Sequence, residues 1–137
     1  MAQNIKLEVV TPEKAVVDEE AKIVVAPGSL GEFGVLSGHT TFLTTLKTGI
    51  IRYMDANDQE HFVFVSGGFA EALPDKVTVL AESAERRRDI DLARAKAAIE
   101  RAEKRLAAQR QKESLDFTRA RAALERALQR LNLAETR

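Results

Sequence analysis

Glycine and proline stop well before the end of this 137-residue chain, and their distribution divides it into two kinds of structure. All seven glycines and all three prolines lie within the first 74 residues, whereas the sequence from Asp89 onward is dominated by the good helix formers Ala, Arg, Glu, Leu and Lys. Residues 1–81 carry 6 Lys/Arg and 11 Asp/Glu, a net charge of −5, whereas residues 82–137 carry 15 and 10, a net charge of +5. The sequence therefore predicts a β-rich module over residues 1–84 and a helical module over residues 85–137.

Short apolar runs rich in β-branched and aromatic residues recur through the first module. Ile5, Leu7 and Val9 alternate with polar residues, which is the period of a half-buried strand. Later runs read AKIVVAP, TGIIRYM, EHFVFVS and KVTVLAE, and turn-forming residues separate them. Asn57 and Asp58 lie between two of these runs and predict a hairpin. The pattern as a whole predicts a sandwich or barrel of antiparallel strand pairs.

The second module carries two matching helical stripes. Apolar residues recur at spacings of three and four at Leu92, Ala95, Ile99, Ala102 and Leu106, and again at Phe117, Ala120, Leu124, Ala127 and Leu131. The polar segment RQKESLD separates the stripes, so we expect a helical hairpin. We predict that Asp89 caps the first helix, that Asp91 lies in its first turn, and that Ser114 or Asp116 caps the second. Because the seam is rich in alanine, the hairpin is expected to close tightly but weakly, and to be able to open and re-pack against a partner.

The segment PGSLGEFGVLSGH has the glycine content of a phosphate-binding loop. Such loops place backbone N–H groups at the start of a helix and usually have a lysine at hand. This segment contains no lysine, and the residues after it are typical of strands and turns. The sequence therefore disfavours a phosphate site here.

The composition excludes several kinds of site. The chain has no cysteine, which excludes disulfides, thiolate zinc sites and cysteine nucleophiles. It shows neither a membrane-length apolar run nor a signal-peptide pattern, so we expect a cytoplasmic protein. His39 and His61 show no spacing typical of a catalytic triad or a metal site. His39 is best interpreted as a turn histidine with a hydrogen-bonding role, although a hydrolase that uses it stays open as a weak alternative.

Two positions in the β module leave a functional and a structural interpretation open. Glu32 is either a partner contact or a solvated turn residue. Ser66, Gly67, Gly68 and Phe69 form either a β-bulge, which we favour, or a point where another backbone approaches closely. If the surroundings of Phe69 are exposed, they form a docking patch.

Four arginines flank the helical stripes, namely Arg94, Arg101, Arg126 and Arg130. Folding the two helices together is expected to set Arg101 nearly opposite Arg126 and to bring all four guanidinium groups to one side. Such a cluster can hold a polyphosphate, and Glu85 and Asp91 could accept hydrogen bonds from a base or ribose. The alternative is a solvated face with local ion pairs such as Glu100 with Lys104.

A nucleic-acid adapter that uses the arginine-rich hairpin is a further alternative. Residues 82–137 include 10 acidic residues, and Phe117 is their only aromatic residue. Phosphate tracking needs an unopposed basic stripe, and single-strand binding needs stacking platforms. The sequence therefore disfavours nucleic acid as a partner.

The order of the motifs GEFGVLSGH, VSGGFAEALPDKVTVLAESAE and DIDLARAKAAIERAEKR resembles the epsilon subunit of bacterial rotary ATP synthase. The resemblance implies an α+β fold, with an antiparallel β-sandwich of about ten strands followed by an antiparallel helical hairpin. It implies a non-catalytic central-stalk subunit of a proton-translocating ATP synthase. The sandwich would contact the gamma subunit and the c-subunit ring, and the hairpin would reach the alpha/beta catalytic head and restrain ATP hydrolysis. The chain would be peripheral, at the cytoplasmic face of the bacterial cell membrane, through the complex.

The resemblance also assigns roles to residues. It makes Glu32 and His39 contacts to the c ring and the Ser66 to Phe69 segment a contact to gamma. Some members of the family bind ATP through the motif Ile/Leu-Asp-x-x-Arg-Ala, which Ile90, Asp91, Arg94 and Ala95 match. The other nucleotide contacts would be Glu85, Arg101, Arg126 and Arg130. No cofactor is required, and ATP would be a regulatory ligand. Ser37 stands where the family commonly has proline, which bears on the rigidity of the ring-side loop.

Overall fold

The chain forms two compact units in a computed structural model. The structure describes residues 3–108 and 114–135, and for residues 108 and 114–116 it describes the backbone alone. One unit is Met1–Arg87 and the other is Arg88–Arg137. The division falls after Arg87, later than the sequence analysis placed it, because residues 84–86 form a last strand that belongs to the sheet.

Nine strands lie among the described residues, against the roughly ten predicted. They are β1 (Ile5–Val10), β2 (Ala15–Gly28), β3 (Gly31–Val35), β4 (Phe42–Leu46), β5 (Gly49–Asp55), β6 (Glu60–Val65), β7 (Gly68–Leu73), β8 (Lys76–Ala81) and β9 (Ala84–Arg86). Each quoted apolar run lies on a strand, as predicted. The sequence analysis missed β9 because AER is short and mostly charged.

The strands follow the order β1-β8-β7-β4-β2-β5-β6-β9, and β3 pairs with β2. β1 also pairs with β2, so the strands from β1 to β2 close on themselves. The β1–β8 pair is parallel, which differs from the expectation of antiparallel pairs alone. The remaining pairs are antiparallel, and the fold is the predicted β-sandwich.

The core of the sandwich comes from the inward phase of the alternating strands. Ile5, Leu7 and Val9 are fully buried, as their alternation predicted, and they pack with Val77 and Val79 of the neighbouring strand. Burying each such side chain contributes about 1.5 to 3 kcal/mol. The core therefore fixes the phase of each strand, and with it the side chains that point outward.

The hairpin predicted at Asn57 and Asp58 is confirmed, since it joins the antiparallel strands β5 and β6. Asp58 has a positive φ of 62°, a backbone conformation that aspartate tolerates in turns. The Asp55 carboxylate accepts hydrogen bonds from the Asn57 and Gln59 N–H groups at 2.8 and 3.0 Å.

The second unit contains helices α1 (Leu92–Ala108) and α2 (Ser114–Glu135), which pack against each other as a helical hairpin. Four of their buried side chains are alanines of the predicted seam, namely Ala95, Ala102, Ala120 and Ala127. Leu133 is also buried and was not predicted, whereas the predicted Leu131 is half-buried. Leu92 and Phe117 differ from the prediction, because they lie at the ends of the stripes and are 39% and 38% exposed.

The helix cap predicted at Asp89 is wrong, and Asp91 has that role. Asp89 ends a short 3-10 helix that begins at Arg87. The Asp91 carbonyl accepts the first helical hydrogen bond from the Ala95 N–H at 3.0 Å, and its carboxylate accepts from the Arg94 N–H at 3.1 Å. Asp91 therefore precedes the first helical turn rather than lying within it. The caps predicted at Ser114 and Asp116 rest on side chains outside the described residues.

Candidate functional site

Glu32 lies on β3, an outer strand that pairs with β2. It is exposed, and its carboxylate accepts a hydrogen bond from the Arg52 guanidinium at 2.9 Å. Exposed ion pairs of this kind contribute little to stability, so the contact orients Glu32 more than it stabilises the fold. The side chain remains accessible to a partner.

His39 lies in the loop between β3 and β4 and has the hydrogen-bonding role that the sequence predicted. Its Nδ1 is 2.7 Å from the Thr40 carbonyl oxygen, and because a carbonyl oxygen can only accept, the Nδ1–H group donates this hydrogen bond. The ring packs edge-on against Phe42 at 5.1 Å between centroids. The loop is tied down at Gly38, whose N–H donates to the Pro74 carbonyl at 2.7 Å. His39 is therefore held in place within its loop by one hydrogen bond and one ring contact.

The predicted bulge at Gly67 and Gly68 is wrong, and a close backbone approach is present instead. The β7–β8 register runs without a shift from Gly68 to Leu73. Both glycines have positive φ, 74° and 113°, and a Cβ on Gly68 would lie 2.1 Å from the Leu80 carbonyl oxygen. Gly68 is therefore required for β8 to approach this closely.

Ser66 is buried just before this turn. Its hydroxyl is 2.7 Å from the Ser83 hydroxyl, and its N–H donates to the Ser83 carbonyl at 3.0 Å. Of the four residues predicted to contact gamma, Phe69 is thus the one with an exposed side chain.

Phe69 belongs to a row of apolar side chains across four strands. It is 52% exposed and lies opposite Leu80, which is 57% exposed, and Leu80 lies opposite Val10. Leu43 of β4 is diagonal to Phe69 on the same face and is 69% exposed. We call Leu43, Phe69, Leu80 and Val10 the apolar patch. The patch meets the condition that the sequence analysis set for a docking surface.

Leu80 and Leu43 were missed by the sequence analysis, although a signal was present. Val77, Val79 and Ala81 point inward along β8, so Leu80 must point outward. An apolar residue in the outward phase of a strand is the signal that could have found both leucines.

The residues of the predicted ATP site lie in both units. Glu85 lies on β9, opposite Phe64, in the first unit, and the other predicted residues lie in the second. Asp91 and the Arg94 backbone form the helix cap, and Ala95 is buried at the helix–helix contact. Ile90 is half-buried, and the Asp-x-x-Arg-Ala part of the motif builds the start of the hairpin.

The four arginines differ in exposure. Arg94 and Arg101 on α1 are exposed, and Arg126 and Arg130 on α2 are half-buried. Their convergence, including the opposition of Arg101 and Arg126, remains a prediction. Within the described residues, no cluster of three or more His, Cys, Asp or Glu side chains could hold a metal ion.

Neither helix, over its described residues, has the length and hydrophobicity that a membrane span requires.

Comparison with protein families matches residues 4–87 to the ATP synthase delta/epsilon chain β-sandwich domain and residues 88–135 to its long α-helix domain.

Similar proteins agree with these matches. The ATP synthase epsilon chain of Desulfosudis oleivorans is 66% identical over 106 residues, which is 77% of this chain and 80% of that protein. The epsilon chain of Nitratidesulfovibrio vulgaris is 54% identical over 112 residues, covering 82% and 83%.

A chain in the cryo-EM structure of Euglena gracilis mitochondrial ATP synthase (OSCP/F1/c-ring, rotational state 1) has the same fold. Its TM-score is 0.77 at 22% identity, covering 91% of this chain and 78% of that one. The two domain matches and the relatives together show that the chain belongs to the ATP synthase epsilon chain family, whose members are non-catalytic subunits of the enzyme.

Proposed function

We propose that this chain couples rotation of the central stalk to ATP synthesis, and that its sandwich docks on the gamma subunit through the apolar patch. The observation that carries the proposal is the row of exposed Phe69 and Leu80 side chains, continued by Val10, on a module whose net charge over residues 1–81 is −5. Aromatic and aliphatic side chains that leave water together are typical of the buried centre of a protein interface.

The position of Gly68 supports this assignment. Because Gly68 allows β8 to approach β7 closely, Phe69 and Leu80 are held as direct cross-strand neighbours on a rigid sheet. A preformed pair of anchors loses little conformational entropy on binding. The patch is therefore suited to a permanent partner such as gamma.

The test is binding of the purified chain to the gamma subunit. The variant carrying both Phe69→Ser and Leu80→Ser should bind at least about ten-fold more weakly, because interface anchors commonly contribute 2 kcal/mol or more. Leu36→Ser is the matched control, since Leu36 is as exposed as Leu80 but lies outside the patch. Unchanged binding of the double variant would remove the patch from the interface.

The c ring is the second docking partner that we propose, with contacts at Glu32 and His39. Glu32 is exposed and oriented by Arg52, and His39 is held in a loop that Gly38 ties to Pro74. These features hold both residues in defined positions. Through these contacts the chain would remain peripheral, at the cytoplasmic face of the bacterial membrane, in a proton-translocating enzyme.

The hairpin is proposed to restrain ATP hydrolysis by reaching the alpha/beta catalytic head. It forms a compact unit of its own, and its alanine seam buries little apolar surface, so its packing is easily exchanged. Its net positive charge favours an acidic segment of the head as the contact.

ATP is proposed as a regulatory ligand of the hairpin, bound while the two helices are packed against each other and the hairpin does not reach the catalytic head. The support is the match of Ile90, Asp91, Arg94 and Ala95 to the motif, and the presence of Arg126 and Arg130 on α2. Guanidinium groups bind phosphate oxygens by paired, charge-assisted hydrogen bonds. High ATP would then hold the hairpin away from the catalytic head.

A further inference from the structure

The last strand of the sandwich is too short to be held firmly by its backbone alone. β9 has three residues and pairs with β6 through Val63, Phe64 and Val65 at the end of the strand order. Strands of globular proteins average five to six residues, so a three-residue ladder is weak. Side-chain contacts therefore decide how firmly β9 is attached.

Arg86 of β9 supplies these contacts. Its guanidinium donates three hydrogen bonds, from Nε to the Val16 carbonyl at 3.1 Å, from Nη1 to the Tyr53 hydroxyl at 3.2 Å and from Nη2 to Glu19 Oε1 at 2.8 Å. The side chain is only 14% exposed. One residue of β9 is thus bonded to both β2 and β5.

Tyr53 and Glu19 complete the group. The Tyr53 ring is buried, and its hydroxyl donates to Glu19 Oε2 at 2.8 Å, so each Glu19 oxygen accepts one bond. The His61 ring stacks on the Tyr53 ring at 4.9 Å between centroids, and His61 is hydrogen-bonded to Asp55 at 2.7 Å. We call Arg86, Glu19 and Tyr53 the Arg86 clasp.

The neighbours of β9 define where the attached chain ends. Ser83 is bonded to Ser66, and the Arg87 guanidinium lies 4.9 Å from the centre of the Phe62 ring. Arg88 and Asp89 are exposed, and Asp91 begins the hairpin as its cap. With the clasp closed, the chain between the last attached residue and the cap is Arg88 to Ile90.

We propose that the Arg86 clasp sets the length of the linker that carries the hairpin. When the clasp is closed, the three-residue linker reaches at most about 10 Å. When it opens and β9 detaches, the chain from Ala84 to Ile90 becomes available and reaches about 24 Å. This goes beyond the proposed function, because it assigns control of the hairpin's range to residues inside the sandwich.

Hydrogen exchange of the full chain, read by mass spectrometry, tests the clasp. Tyr53→Phe keeps the ring and removes the hydroxyl, and Glu19→Gln removes the charge. In both variants the amides of β9 should exchange roughly five-fold faster, the effect of losing one such hydrogen bond, while the amides of β8 exchange as before. Trypsin should also cut faster after Arg86.

Lys22→Gln is the matched control, because it removes an exposed ion pair with Asp58 on the same sheet and should leave β9 unchanged. Two results would overturn the proposal. One is β9 exchange that stays at the wild-type rate in both clasp variants. The other is an equal increase in β8 and β9, which would mean that the clasp residues stabilise the sandwich as a whole.

Discussion

Single residues decide how closely the strands of this sandwich approach each other, and Gly68 is the clearest case. Its φ of 113° is a conformation that residues with a side chain rarely adopt, and the Leu80 carbonyl beside it leaves no room for a Cβ. We expect Gly68→Ala to destabilise the chain by about 2 kcal/mol or more, from backbone strain and overpacking together. Chemical unfolding of the sandwich measures the change.

Gly34→Ala is the comparison for this variant. A Cβ at Gly34 would meet its nearest neighbour at 3.8 Å, which is ordinary contact. We expect a change within about 0.5 kcal/mol, as for most accommodated substitutions. Equal stability of the two variants would contradict the close approach at Gly68.

Tyr53 is the only tyrosine in a chain without tryptophan, so its ionisation can be followed directly by ultraviolet absorbance. Burial and its hydrogen bond to Glu19 raise the pKa of Tyr53 from 10.0 to about 12. The folded state therefore favours the neutral phenol, and this stabilisation is complete below pH 10 and lost as the pH rises from 10 toward 12. A titration midpoint near 10 in chain that is still folded would contradict the buried hydrogen bond.

Helix α1 begins with a cap, and the cap explains part of the Asp-x-x-Arg-Ala motif without reference to a ligand. We expect Asp91→Ala to cost about 1 kcal/mol, because the Arg94 N–H loses its acceptor. Thermal unfolding followed by the helical circular dichroism signal, without ATP, measures it. Asp89→Ala is the control, and a larger loss in that variant would restore the capping role to Asp89.

The sequence predicted strands and helices well where one face of the element is buried. It predicted contacts poorly where the two residues are far apart in the sequence. Alternation in β1 predicted its strand because a core fixes the phase of side chains. Asp89 and Asp91 both fit the pattern of a cap, and backbone geometry alone separates them. The Arg86–Glu19 bond joins residues 67 positions apart, and no local pattern encodes such a register. The apolar patch lay between these cases, since its phase was readable but its neighbours were not.

The two units of the molecule are expected to separate in function. In the reconstituted ATP synthase, deleting residues 89–137 should leave assembly intact, because the sandwich forms a compact unit that carries the apolar patch. ATP hydrolysis by the complex should rise, since the restraining element is gone. Unchanged hydrolysis in a fully assembled complex would remove the inhibitory role.

Calorimetric titration of ATP into the isolated chain tests the hairpin as a nucleotide sensor. We expect saturable binding that Arg126→Ala abolishes, because a guanidinium contact to phosphate would be lost. The control is Arg121→Ala, which changes an exposed arginine of the same helix that is not one of the predicted ATP contacts, and this variant should bind as the wild type does. Without binding at millimolar ATP, the four arginines would serve the partner interface or the hairpin itself.

The parallel pairing of β1 with β8 has a consequence for how the chain is made. β1 ends at Val10, whose partner in the parallel strand β8 is Leu80. At ordinary rates of synthesis, the ribosome needs roughly 4 to 14 s to add the residues between them. During that interval β1 can pair with β2, but its other edge has no strand to meet. The nascent sandwich therefore stays open along that edge until nearly the whole first unit has been translated. A chaperone would be needed most during this interval, while the edge of β1 is unpaired.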